Sequence, residues 1–328
     1  MIADDLLVLG AGPAGLASAI TGALAGMRVR VLDLPPARTS LVPESVHPGI
    51  ETLLDTLGVK SHFLEVGFQR FAGICVDGIR SPFGQDANGP WMGFHVRRSQ
   101  FDQILRQRAE SLGVGFIRVQ DSLRCIRDDV RFRGVSMGQR EYFAAWTIDA
   151  TGRSRFLGRQ FGLKERKLSE RRMAWRGTNL SPVWSPDRDP SYAYLDSDSK
   201  GWLWTVASSD GTCAWTRVSV VLDKPLQSVE HHEAGFPMEA FDVRWRLFRP
   251  CVGSGWVLAG DAAATLDPAA GNGVFFALQS GIRAVDAVLR VKRSSVPEAL
   301  VLAGYDGWLV DSVLSKADRL RAWYPPSY

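Results

Sequence analysis

The segment that most restricts what this chain can fold into is Gly10-Ala11-Gly12-Pro13-Ala14-Gly15, three spaced glycines placed directly after an apolar run. Residues 6–9 are apolar without interruption, as a strand covered on both faces requires, and residues 14–25 form a helix of mostly small side chains. Residues 28–32 form the next strand, which ends at Asp33. The spacing predicts a compact βαβ unit. In it Gly10 permits the tight bend, Gly12 lets backbone approach a pyrophosphate, and Gly15 lets helix pack on strand, so that Ala14 and the three glycines outline a dinucleotide site. Phosphate oxygens would face the open N–H groups of the helix N-terminus. Asp33, 18 residues beyond Gly15, stands where a carboxylate accepts from a ribose 2′-hydroxyl and disfavours a 2′-phosphate. This turn alone leaves FAD and NAD open.

Further along, Ser99 followed three residues later by Asp102 is a capping-box pattern, and Phe101, Ile104, Leu105 and Leu112 recur at helical spacing until Gly113. Strand-like stretches near Leu123, Phe132 and Phe143 predict an antiparallel meander that returns to the core at residues 146–149. From Gly152 to Phe248 Pro, Ser, Asp and Trp become frequent. A second, antiparallel domain is expected there, with a hairpin of residues 202–208 and 212–222 around Asp210-Gly211. A long helix at residues 274–291 then returns to the cofactor domain, and the tail reads as one or two short helices.

The expected fold is therefore α/β (α+β): a Rossmann-like cofactor domain with a β-meander insertion, plus a smaller antiparallel-sheet substrate domain. The boundaries expected are residues 1–70, 96–155 and 245–295 for the cofactor domain, 71–95 and 156–244 for the substrate domain, and 296–328 for a helical tail.

Composition excludes several partners. A net charge of +4 on scattered basic residues gives no nucleic-acid footprint, and no run reaches the ~18 apolar residues of a membrane span. Cys75, Cys125, Cys213 and Cys251 lie far apart without C-x-x-C spacing, as reduced thiols of a cytoplasmic protein would. His231, His232 and Glu233 form a local cluster with no accompanying ligand set, so no metal site is expected.

The late segment Gly255 to Gly273 separates the cofactors. A strand ends in Gly260-Asp261, and a small-residue loop, Asp267-Pro268-Ala-Ala-Gly271-Asn272-Gly273, opens another helix N-terminus that can stabilise negative charge. Here the chain resembles the FAD-dependent monooxygenase superfamily of p-hydroxybenzoate hydroxylase, geranylgeranyl reductases and tryptophan halogenases. Asp149-Ala-Thr-Gly152, Arg98 before Phe101-Asp102, and Pro43-Glu44-Ser45 continue the resemblance. It implies that Asp261 binds the ribityl chain, that residues 267–273 lie along the flavin ring, and that Arg98, Glu44 and Ser45 join the FAD site.

Within the superfamily the nearest branch holds tryptophan halogenases and the flavoprotein maturases that install tryptophylquinone. The resemblance rests on Glu44-Ser-Val-His-Pro-Gly and on Gly201-Trp202-Leu-Trp204. It implies oxidation of an electron-rich aromatic small molecule, or of an aromatic residue carried by a peptide or partner protein. Two features depart from the halogenase pattern: the Trp204 strand lacks Ile-Pro, and Phe71 falls where the halogenases carry a lysine. The reaction expected is hydroxylation through a flavin C4a-hydroperoxide, with halogenation as the alternative and a non-catalytic flavin-binding maturation factor as the second. Electrons would come from NAD(P)H directly or through a separate flavin reductase. His47 is the candidate base for an indole or phenol. Trp202, Trp204 and Trp215 are the candidate substrate pocket.

Overall fold

A computed structural model of the chain describes residues 4–35, 42–179, 187–207, 213–220 and 239–321. The apolar strand Asp4–Leu9 lies at the centre of an eight-stranded sheet, with Leu6 to Leu9 fully buried. It pairs in parallel with Val29–Asp33 on one side and with Arg140–Asp149 on the other. Gly115–Arg118 and Trp256–Leu258 extend the parallel arrangement outward. Register puts Leu9 beside Leu32 and Asp149, and Asp149 beside Leu258, so the carboxyl ends of these strands share one edge. That edge is where open α/β sheets bind ligands. The ten-residue strand Arg140–Asp149 also carries the meander, because its first half pairs antiparallel with Phe132–Met137, which in turn pairs with Leu123–Arg127.

Among the described residues the α-helices are α1 (Pro13–Leu24), α2 (Ile50–Thr56), α3 (Lys60–Glu65), α4 (Arg98–Ser111), α5 (Phe156–Gln160), α6 (Gly273–Arg293) and α7 (Glu298–Arg321). The small residues of α1 serve a close crossing with α6. A Cβ at Gly281 would stand 2.3 Å from the Ala14 carbonyl oxygen, so only glycine fits there. Ser18 Oγ lies 2.8 Å from the Ala14 carbonyl and 3.1 Å from that of Gly281, which places its hydroxyl between the two helices. Gly260 meets Ala14 and Ala277 at the same junction, and its N–H donates to Ser280 Oγ at 2.9 Å. The early glycine turn and the late Gly-Asp segment are thereby brought into contact.

A seven-stranded sheet forms the other large layer, in the order Glu239–Asp242, Arg172–Asn179, Cys213–Val220, Gly201–Ala207, Tyr192–Asp198, Gly73–Val76 and Ile79–Pro82. A three-stranded sheet of Glu44–Val46, Gly93–Val96 and Gln69–Phe71 accompanies it. Gly201–Ala207 and Cys213–Val220 pair as the hairpin reading expects; Asp210-Gly211 and His231, His232 and Glu233 lie outside the described residues. Two local expectations are corrected. Ser99 is inside α4 rather than capping it, because the helix starts at Arg98 and Asp102 turns back to pair with that arginine. The tail forms one 24-residue helix, α7, because Leu302, Leu309, Val313 and Leu320 bury a continuous face that tertiary packing rewards. Among the described residues no helix is long and apolar enough to cross a membrane.

Candidate functional site

The site begins at the turn between the first strand and α1. Gly10 takes φ +102°, and a Cβ on Gly15 would stand 1.9 Å from the Gly10 carbonyl oxygen, so the turn closes only with these glycines. Gly12 is different. Among the described residues a Cβ there would meet nothing within 4 Å, and no side chain caps the N-terminus of α1. The turn thus leaves open space in front of unpaired N–H groups, which suits a pyrophosphate. The loop at Ala150 packs onto this turn, held by the buried Asp149 carboxylate, which accepts from Thr151 N, Thr151 Oγ1 and Leu157 N at 2.9, 2.7 and 2.6 Å. Asp33 ends its strand at the same edge, and its Oδ2 accepts from Arg106 Nη1 at 2.8 Å. Arg106 also lies over the Phe116 ring.

Beyond the turn the cleft is lined by charge. Arg98 holds Asp102 through two hydrogen bonds of 3.2 and 3.1 Å and Glu44 at 3.3 Å, and Arg176 reaches the same Glu44 at 3.3 Å. Burial pushes the Glu44 carboxyl up, but Arg98 and Arg176 outweigh it and hold the group below its usual value. Asp261 has 37% of its side chain accessible, and Arg153 stands 3.7 Å away. Scarcity of bulk water raises its pKa, against the pull of Arg153 and Arg98. Arg153 and Arg176 both lie over the ring of Phe241, at 4.1 and 5.1 Å. Arg106, Arg153, Arg176 and Phe241 were not legible beforehand, since a cleft arginine and a solvated one look alike in sequence.

The loop before α6 is anchored from behind. Asp267 is 2% exposed and accepts from Trp202 Nε1 at 3.1 Å, Trp245 Nε1 at 3.0 Å and Ala269 N at 3.0 Å, with Arg172 Nη1 at 3.5 Å. Asp267 therefore fixes the loop, while Gly271 and Gly273 have open space where a Cβ would sit. Among the described residues, these positions at the N-terminal ends of α1 and α6 leave backbone open to a bound anionic group.

A family model described as FAD binding domain matches residues 4–302. The chain belongs to that family. This flavoprotein is 25% identical to a tryptophan 2-halogenase of Chondromyces crocatus, over 90% of the chain but 62% of the halogenase's length. It is also 25% identical to a 1H-pyrrole-2-carbonyl-[peptidyl-carrier protein] brominase of Pseudoalteromonas luteoviolacea, over 87% of the chain and 77% of that protein. Its fold matches the flavin-dependent brominase Bmp2 at TM-score 0.81 and 21% identity, covering 98% of this chain and 87% of that one. It matches the peptidyl tryptophan dihydroxylase QhpG at TM-score 0.69 and 22% identity, covering 97% and 72%. The chain is thus a member of the FAD-binding family with the fold of the flavin-dependent halogenases.

In this flavoprotein the expected substrate tryptophans separate into two kinds. Trp202 and Trp215 are each 3% exposed, the first tied to Asp267 and the second lying on Gly177, so they form framework; Trp204 is half-buried. His47 Nδ1 accepts from the Gly49 N–H at 3.0 Å, and burial lowers the ring's pKa. The neutral ring therefore presents Nε2–H, a hydrogen-bond donor, rather than a free lone pair. Phe71 is buried and stacks on His95 at 4.3 Å, and Phe83 bridges Phe71 to His47 with centroids 5.2 and 5.1 Å away. These rings make an aromatic row that no sequence spacing marked.

Proposed function

We propose that this flavoprotein halogenates an electron-rich aromatic ring. The observation that carries the proposal is the set of open positions at Gly12, Gly271 and Gly273, at the N-terminal ends of α1 and α6, together with the aromatic row of His47, Phe83, Phe71 and His95. The named activities of the halogenase relatives support it. FAD, once bound and reduced, supplies the electrons that activate dioxygen. The chain's own residues would do the rest: Gly10, Gly12, Ala14 and Gly15 would hold the pyrophosphate, Asp33 the adenosine ribose, and Gly260 and Asp261 the ribityl chain. Glu44, Ser45, Arg98, Pro268, Gly271, Asn272 and Gly273 would flank the ring.

An amine is expected to handle the oxidised halide. Phe71 occupies the position where the resemblance implies one. Trp204 and the aromatic row would hold the substrate, an indole, pyrrole or phenol, free or borne by a carrier protein or peptide.

Hydroxylation is the second reading, and Phe71 itself favours it, because an apolar ring in place of a lysine keeps the pocket dry for direct oxygen transfer. The test supplies purified protein, FAD, NADH and a flavin reductase with indole, phenol and carrier-bound pyrrole, with and without bromide or chloride. Halide-dependent incorporation of halogen is the expected product. Incorporation of a single oxygen regardless of halide would overturn halogenation in favour of the second reading. Reduction by NADH without the reductase would identify the direct electron route.

A further inference from the structure

Ser45, Gln69 and His95 occupy one face of the three-stranded sheet, with His95 in register opposite both of the others. The Gln69 amide is engaged, since its Nε2 donates to the Ala207 carbonyl at 2.9 Å. His95 is 6% exposed and held by parallel stacking on Phe71, with ring planes 11° apart, so the imidazole has little freedom to rotate. Its Nδ1 lies 3.0 Å from Ser45 Oγ, and its Nε2 has no hydrogen-bond partner among the described residues.

Burial keeps this imidazole neutral, with a pKa of about 4, so it carries a single N–H. With the proton on Nε2, a donor would be sealed in the interior with no acceptor. With the proton on Nδ1, that donor reaches Ser45 and only a lone pair is left unmatched. Stranded N–H donors are the rarer and costlier of the two. The Nδ1–H form is therefore favoured, and Ser45 Oγ is then an acceptor from His95. Its own hydroxyl proton has to find another acceptor.

Ser45 is half-buried and follows Glu44 on its strand. On one side Glu44 joins Arg98 and Arg176; on the other, Gly49 of the His47 turn lies against Phe275 of α6. We propose that His95 is a positioning residue whose Nδ1–H donates to Ser45 Oγ, turning the Ser45 hydroxyl proton outward as a hydrogen-bond donor to bound FAD. The proposal rests on the placement of the flavin given above. Donation from His95 also polarises the hydroxyl, which strengthens the bond it makes in turn.

Nitrogen-15 NMR of the imidazoles, in the apoprotein and with FAD added, reads the tautomer directly. His95 is expected to show a protonated Nδ1 and an unprotonated Nε2; the reverse assignment would overturn the proposal. FAD titration of Ser45→Ala and of His95→Phe is expected to give affinities weakened by roughly three- to tenfold, with a shifted flavin absorption band. The double variant should bind no worse than either single one, and Ser45→Thr should bind as wild type. Additive losses in the double variant would refute a relay through Ser45. Should His95→Phe fold poorly, the tautomer and the Ser45→Ala titration decide the matter. Normal binding by Ser45→Ala alongside weakened binding by Asp261→Ala would overturn the role of the hydroxyl alone, whereas normal binding by both would overturn the flavin placement with it.

Discussion

Trp202 Nε1 donates to Asp267 Oδ1 across 3.1 Å, joining the seven-stranded sheet to the loop that precedes α6. Both groups are buried, so the bond ties the sheet to that loop where water cannot replace it. Hydrogen bonds to a charged group contribute roughly 1.5–3 kcal/mol, and Trp202→Phe should lower stability by about that amount. Asp267→Ala should cost more, because it removes an acceptor from two indole N–H groups and the charge beside Arg172. Denaturant midpoints measure both effects. An unchanged midpoint for Trp202→Phe would mean the bond contributes nothing.

Asp261→Ala should weaken FAD binding roughly ten- to a hundredfold while leaving the fold largely intact, since it removes charge-assisted hydrogen bonds and little packing. Gly12→Val should be worse, because its side chain would fill the open space in front of the α1 N-terminus. Flavin fluorescence titration distinguishes the two. Retention of full FAD affinity by Asp261→Ala would remove that residue from the site.

The contact between α1 and α6 depends on Gly281. A valine there would force atoms against the Ala14 carbonyl at 2.3 Å and Ser18 Oγ at 3.0 Å, and overpacking of this kind costs about 1–3 kcal/mol. Because the same junction seats Gly260 beside Ala14, FAD affinity should fall together with the melting temperature. Loss of stability with wild-type affinity would show that the two halves of the site do not depend on this crossing.

His95 makes stability depend on pH in a defined direction. Its folded-state pKa of about 4 lies below the unfolded value of 6.5, so the unfolded chain takes up the proton first as pH falls. The stability contributed by the neutral ring is complete above pH 6.5, is lost as pH falls toward 4, and does not change further below that. Full loss corresponds to about 3 kcal/mol, and His95→Phe should flatten that part of the profile. Urea melts at intervals between pH 4 and 7 would show it; parallel profiles for the two proteins would refute the assignment.

The sequence by itself determined the βαβ unit, the glycine turn, the meander, the hairpin of Gly201–Ala207 with Cys213–Val220, and the long helix after Asn272. Each is written in short-range terms: a run of buried apolar residues, alternation, or a glycine where only glycine can bend. Tertiary structure decided the partners. Trp202 and Asp267 are 65 residues apart and Arg176 and Glu44 are 132 apart, and no local spacing says that either pair will meet. Trp202 looked like pocket lining because a tryptophan on a strand reads the same whether its indole faces a ligand or a buried carboxylate. His95 stood unremarked in a four-residue strand, and only packing showed its ring stacked on Phe71, one nitrogen against Ser45 and the other unmatched. Backbone conformation is encoded by neighbours along the chain, whereas the charge state and direction of a functional side chain are settled by whatever the folded sheet edges bring against it.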